Sequence, residues 1–125
     1  MTTALVSVLL FLHGLAHLPV WLPRTNPGEP FDPRHSWALA AAGVQGPRIH
    51  LTAATWLASL TTALYAIAGA AAATRAEGWA AAAILAASVG LVLKALWFNP
   101  WLSLGVLLDI GVIAAVLTNW PASLY

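Results

Sequence analysis

The chain has 125 residues, of which 61% are apolar and only 7% charged. A soluble domain carries about a quarter charged residues, so a water-facing surface is excluded for most of this chain, in line with its strongly positive mean hydropathy. A net charge of +1 with no basic run excludes nucleic acid as a partner, and the absence of cysteine excludes thiolate metal sites, disulfides and thiol catalysis.

The first apolar segment runs from about Thr3 to Leu22, with Pro19 and Pro23 loosening its end. It lacks a basic leader and a small-residue cleavage site, which predicts a retained span rather than a secretory signal. Further apolar segments run from about Ile49 to Ala73, from Trp79 to Phe98 and from Trp101 to Trp120. Each meets the roughly 20 residues that a hydrocarbon core of about 30 Å requires. The predicted fold is therefore all-α: one transmembrane domain, residues 1–125, folded as an antiparallel four-helix bundle (spans 3–22, 49–73, 79–98 and 101–120). Trp21, Trp79, Trp97, Trp101 and Trp120 fall near the predicted ends, as an interfacial aromatic belt would place them.

Arg75-Ala76-Glu77-Gly78 and Asn99-Pro100 are tight links, whereas residues 23–48 form a long connection punctuated by Pro27, Pro30, Pro33 and Pro47. Within it, Asp32-Pro33 reads as an N-cap with proline at the first helical position. That predicts either a short helix from about Pro33 to Ala42, ending at Gly43 and lying in the interface or over the bundle mouth, or a plain loop. Arg24, Arg34, Arg48 and Lys94 fall on one side of the membrane and Arg75 on the other, which by the positive-inside rule places the long loop in the cytoplasm and both termini outside. Small residues are expected at helix contacts: Thr52, Thr55, Ser59, Thr62, Ala66 and Gly69 on the second span, and Ala83, Ala87 and Gly90 on the third.

The ionisable residues are distributed by depth. At about 1.5 Å per residue, His13 and Asp109 each lie about 12–14 Å below the same membrane surface. His17 and Lys94 lie nearer to it, and His50 and Arg48 at its edge. An ionisable group at the centre of a membrane helix costs about 2.5–3.5 kcal/mol on the mildest scale, so it faces the bundle interior and finds a partner. Asp109 is expected to pair with Lys94 or a histidine. Gly105, one turn away, leaves room for a side chain or a ligand. The expected site is one polar pocket opening toward the long loop, with Trp37, Trp56, Trp97, Phe98 and Trp101 as candidate walls and Arg48 and His50 at its mouth.

His13-Gly14-Leu15-Ala16-His17 places two histidines at i and i+4 on one helix face, where both can reach one metal. His50 and Asp109 are candidate further ligands, but the glutamate of a zinc-protease signature is missing; the alternative is a hydrogen-bonded pair that holds helices together. A bis-histidine haem between His13 and His50 fits poorly, because their depths differ. No cofactor is predicted beyond this metal alternative. Asp109 beside a histidine also resembles an orienting carboxylate with an imidazole proton carrier.

His13 to His17, Ser88 to Trp97 and Gly105 to Ile110 together resemble a broad group of small four-span bacterial membrane proteins, many of them actinobacterial and distantly similar to DoxX-like four-helix proteins. The resemblance implies the four-span fold and draws attention to His13, His17 and Asp109; it carries no reaction. This chain departs from the group by placing Lys94 in a stretch that is otherwise apolar. The functions that follow are binding of a small lipophilic molecule (isoprenoid, quinone or lipid), or acid–base chemistry on it, with His13, His17, Lys94 and Asp109 as the proton-handling groups. The alternatives are an accessory subunit or homo-oligomer in a larger membrane complex, and metal handling through His13 and His17.

Overall fold

The computed structural model describes residues 1–22 and 29–125. Arg24, Pro23 and Pro27, used above in the loop and charge arguments, lie outside the described residues. The elements are α1 (Thr2–Trp21), α2 (Trp37–Ala41), α3 (Pro47–Ala73), α4 (Trp79–Leu96) and α5 (Ser103–Leu117), with short 3-10 turns at Pro100–Leu102 and Ala122–Leu124. No strand occurs among the described residues. α1, α3, α4 and the segment Pro100–Leu117 are each long and apolar enough to cross a membrane. The protein is an integral membrane four-helix bundle.

Local signals account for the helix ends. Gly46, at φ +112°, precedes Pro47 at the first helical position of α3. Arg75 and Asn119, both at positive φ, occupy the left-handed position that closes α3 and α5. The backbone N–H three residues past each helix, of Ala76 and Trp120, reaches back to Ala71 O and Ala115 O, at 2.9 and 2.8 Å. α2 is shorter than expected and starts later. Its N-cap is Ser36, whose Oγ accepts from Leu39 N at 3.2 Å. Asp32 does not cap it, because both its oxygens are taken by the Arg34 guanidinium at 2.9–3.2 Å and Oδ1 also accepts from Arg34 N. The Arg34 contacts hold the exposed Asp32 carboxyl below its usual pKa. α2 ends as foreseen at Gly43, with Val44 N on Leu39 O at 2.9 Å.

The long loop is pinned to the end of α4. Trp97 Nε1 donates to Pro33 O at 2.8 Å, Trp37 Nε1 to Ala95 O at 2.8 Å, and Ser36 Oγ to Leu96 O at 2.6 Å. Asn99 Nδ2 adds a bond to Pro30 O at 3.1 Å.

α3 packs against both α1 and α4, and α4 packs against α5. α1 and α5, which would close the ring, barely approach each other along their backbones. Two apolar cores result. One, at the long-loop end, gathers Trp21, Phe31, Ala54, Ala58, Leu93 and Trp97; the other gathers Leu10, Ala68, Ala72, Trp79, Ala83 and Ala87. Trp21, Trp79 and Trp97 are thus core residues and not belt residues, while Trp101 and Trp120 are exposed.

The contact stripe on α3 differs in part from the expected one. Its buried face is His50, Ala54, Ala58, Thr61, Tyr65, Ala68, Gly69 and Ala72, which includes the expected Gly69, and the expected Thr62 bonds across to Gly14 O on α1 at 2.9 Å. Thr52 and Thr55 bond to carbonyls of their own helix, Arg48 O and Leu51 O, and so have no need of a facing helix. On α4 the expected Ala83, Ala87 and Gly90 are buried.

Candidate functional site

Between the two cores lies a buried polar cluster drawn from all four spans: His13 and His17 from α1, Tyr65 from α3, Lys94 from α4 and Asp109 from α5. Asp109 is fully buried and is the hub. Its Oδ1 accepts from His13 Nε2 at 2.8 Å and from the Tyr65 hydroxyl at 2.5 Å, and its Oδ2 accepts from Lys94 Nζ at 2.7 Å. Lys94 directs its other two protons to His17 Nε2 at 2.8 Å and Gly90 O at 3.4 Å. All three N–H bonds of the ammonium therefore have acceptors.

These contacts fix the tautomers. His17 Nδ1 faces the His13 carbonyl at 2.9 Å, so it must donate, which leaves Nε2 as the lone pair that Lys94 meets. A carboxylate that already accepts from an ammonium and a phenol accepts from His13 as well, so His13 Nε2 carries a proton. His13 Nδ1 has no partner among the described residues, and it is not sealed from the surface, since no buried side-chain nitrogen or oxygen lacks a partner. With Lys94 positive and Asp109 negative the cluster is neutral as it stands. With Nε2 held by Asp109, the open ring position on His13 is Nδ1.

Three glycines make room for this arrangement. A Cβ on Gly90 would lie 2.7 Å from Asp109 Oδ2, one on Gly105 2.6 Å from Lys94 Cε, and one on Gly14 2.6 Å from Tyr65 Cβ. The space foreseen beside Gly105 is filled by Lys94. Thr62 Oγ1, donating to Gly14 O at 2.9 Å, adds a bond between α1 and α3 at the same level.

The His13–Asp109 bond bridges the sparse seam between α1 and α5, and a groove lies to each side of it. One, of about 160 Å³, is almost wholly apolar and is lined by Leu9, Leu10, Leu107, Gly111 and Val112 among others. The second, of about 240 Å³, reaches His17, Lys94, Trp101 and Gly105. His13 and Leu108 line both.

The remaining sequence candidates lie elsewhere. His50 is buried but belongs to the loop clasp: its Nδ1 accepts from Ser36 N at 3.1 Å and its Nε2 donates to Val44 O at 2.9 Å. Arg48 is exposed. Trp56 is 74% exposed, and Phe98 and Trp37 also face outward, so none of the three walls the cluster. Trp97 is buried in the long-loop core, and Trp101 alone of the predicted tryptophans lines a groove beside the cluster. Tyr65 was not foreseen.

His13, His17 and Asp109 offer ligand atoms within 4.8 Å of one another, a spacing compatible with a metal ion. The Lys94 ammonium, however, lies between His17 Nε2 and Asp109 Oδ2 and already supplies a cation to them. A metal at those two donors would have to displace it. Comparison of the chain with protein-family models, with curated proteins and with solved structures found no match.

Proposed function

We propose that the cluster is a proton-handling site for a small lipophilic molecule (an isoprenoid, quinone or lipid) that reaches it from the bilayer through the seam between α1 and α5. The observation that carries this reading is His13: one ring nitrogen is held by Asp109, while the other is open beside two grooves. Such a pair positions an imidazole to accept and return a proton, with the carboxylate fixing its tautomer. Where chemistry follows binding, it is proton transfer at His13 Nδ1, of the kind that isomerisation, cyclisation or hydration needs. Mass spectrometry of lipophiles retained by protein purified in native lipid tests the reading. Retention is expected in the parent and lost in His13→Ala, His17→Ala and Asp109→Ala variants that stay folded; equal retention in all three ends the idea.

A second reading is favoured by α5, which buries only Asp109 and Val116. On this reading the cluster merely holds the bundle together, and the outer face of α5 meets another membrane protein or a second copy. Purification in mild detergent separates the two, since a stoichiometric partner supports the accessory role. Metal handling by His13, His17 and Asp109 is a third reading, supported by their spacing; metal well below one equivalent in protein purified without added metal argues against it.

The kinship with small four-span bacterial proteins is likewise a proposal, supported by the His13–His17 motif. So is a cytoplasmic long loop with both termini outside, for which Arg24, Arg34 and Arg48 count by sequence against Arg75, Lys94 being buried in the bundle.

A further inference from the structure

The chemistry open at His13 narrows the ligand. We infer that the occupant of the α1–α5 seam is a lipophilic alcohol or phenol, whose hydroxyl donates to His13 Nδ1 while its apolar body lies in the groove formed by Leu9, Leu107, Gly111 and Val112. This deepens the function proposed above and rests on it.

The hydrogen bonds already made within the cluster limit what it can offer a ligand. Lys94 has spent its three protons, His17 both ring nitrogens, and Tyr65 its hydroxyl proton on Asp109. No donor in the cluster is left for a carbonyl, an ether or a carboxylate. An anion would in addition sit one imidazole away from the Asp109 carboxylate. What remains is a single acceptor, the His13 Nδ1 lone pair, on a side chain that is only 7% exposed. A buried acceptor is best met by a donor that brings little else that needs solvation. A hydroxyl on a hydrocarbon fits. Its own oxygen can lie toward the wider groove near Trp101 and Gly105, while the chain follows the apolar one.

Gly111 supplies a steric test that leaves the polar cluster untouched. A Cβ there meets nothing within 4 Å, and the residue lines the apolar groove. A leucine at this position fills the groove from α5 without displacing any group of the cluster.

The experiment uses the full chain in lipid nanodiscs with nitrogen-15-labelled histidine, and follows the His13 Nδ1 resonance as dodecanol or its methyl ether is added. Dodecanol is expected to move the resonance saturably, and the ether at equal concentration to leave it in place. Gly111→Leu is expected to weaken the dodecanol response by about tenfold or more, because the site now clashes with the chain. Equal responses to alcohol and ether overturn the hydroxyl assignment, and a Gly111→Leu response like that of the parent overturns the groove assignment. No response to either probe overturns the inference outright, and the retention assay above then decides separately whether the broader reading stands.

Discussion

Gly105 is what allows Lys94 to reach Asp109. A methyl group in place of the Gly105 hydrogen would lie 2.6 Å from Lys94 Cε, and yet the ammonium beyond it makes a 2.7 Å bond to the carboxylate. The lysine stem crosses the α5 backbone at Gly105, where no side chain stands in its way, so α4 and α5 are joined by an ion pair threaded past a glycine.

The ion pair should respond as a unit. Lys94→Met or Asp109→Asn alone removes one charge and strands the other, and each should cost about 3–5 kcal/mol. The double variant restores neutrality and should lose clearly less than the sum. Unfolding of the parent, both singles and the double in mixed micelles checks this; strict additivity would contradict the coupling.

Gly14 and Gly111 should behave oppositely towards alanine. At Gly14 the new methyl meets Tyr65 Cβ at 2.6 Å, an atom tied to the α3 backbone, so the helices must separate. Overpacking of this kind costs about 1–3 kcal/mol. At Gly111 the methyl meets open space, and alanine gains up to about 1 kcal/mol of helix propensity. Thermal denaturation in detergent should therefore move down for Gly14→Ala and hold or rise for Gly111→Ala.

Tyr65→Phe removes one of the three donors to Asp109 and leaves the ring contact with His13 in place, at a centroid distance of 4.8 Å. The expected loss is about 1.5–3 kcal/mol, as for a hydrogen bond to a charged group. The His13 Nδ1 resonance should shift, because Tyr65 and His13 share the same carboxylate oxygen. An unmoved resonance would mean that the phenol does not reach Asp109.

Outside the membrane, Asp32 should titrate below an ordinary aspartate, because Arg34 bonds to both its oxygens. The sign follows from linkage. A carboxyl whose folded pKa is depressed adds stability above its unfolded pKa and loses it as the pH falls through the folded one. The pair is exposed, so the gain is small. An NMR titration of Asp32 in the parent and in Arg34→Ala should show the midpoint rising in the variant.

Depth was legible in the sequence, and azimuth was not. Apolar length gave four spans, and residue counting brought His13 and Asp109 to one level, where they now bond at 2.8 Å. Trp56 illustrates what counting misses. It lies about two and a half turns from Tyr65, hence on the opposite side of α3, and Tyr65 faces the cluster while Trp56 faces outward. Thr52 and Thr55 on α3 misled for a related reason, since hydroxyls that bond within their own helix carry no directional signal, whereas Thr62 of the same stripe does reach α1. Tyr65 itself had a readable sign: a phenol well inside a span, where a buried hydroxyl needs an acceptor. His50 shares its residue type with the cluster, but its partners come from the loop, and contacts across such sequence separations are invisible to spacing alone.

The loop clasp has a consequence for the cluster. Ala95 and Leu96 belong to the last turn of α4, where carbonyls have no acceptor role within the helix. Trp37 and Ser36 supply the missing donors from the connection outside it. The extramembrane segment thus acts as the terminal cap of the helix that carries Lys94. Proteolytic cleavage near Pro33, or a modification that pulls Ser36 away, would let that turn fray and unseat the ammonium from a distance, with no direct contact to any proton-handling group.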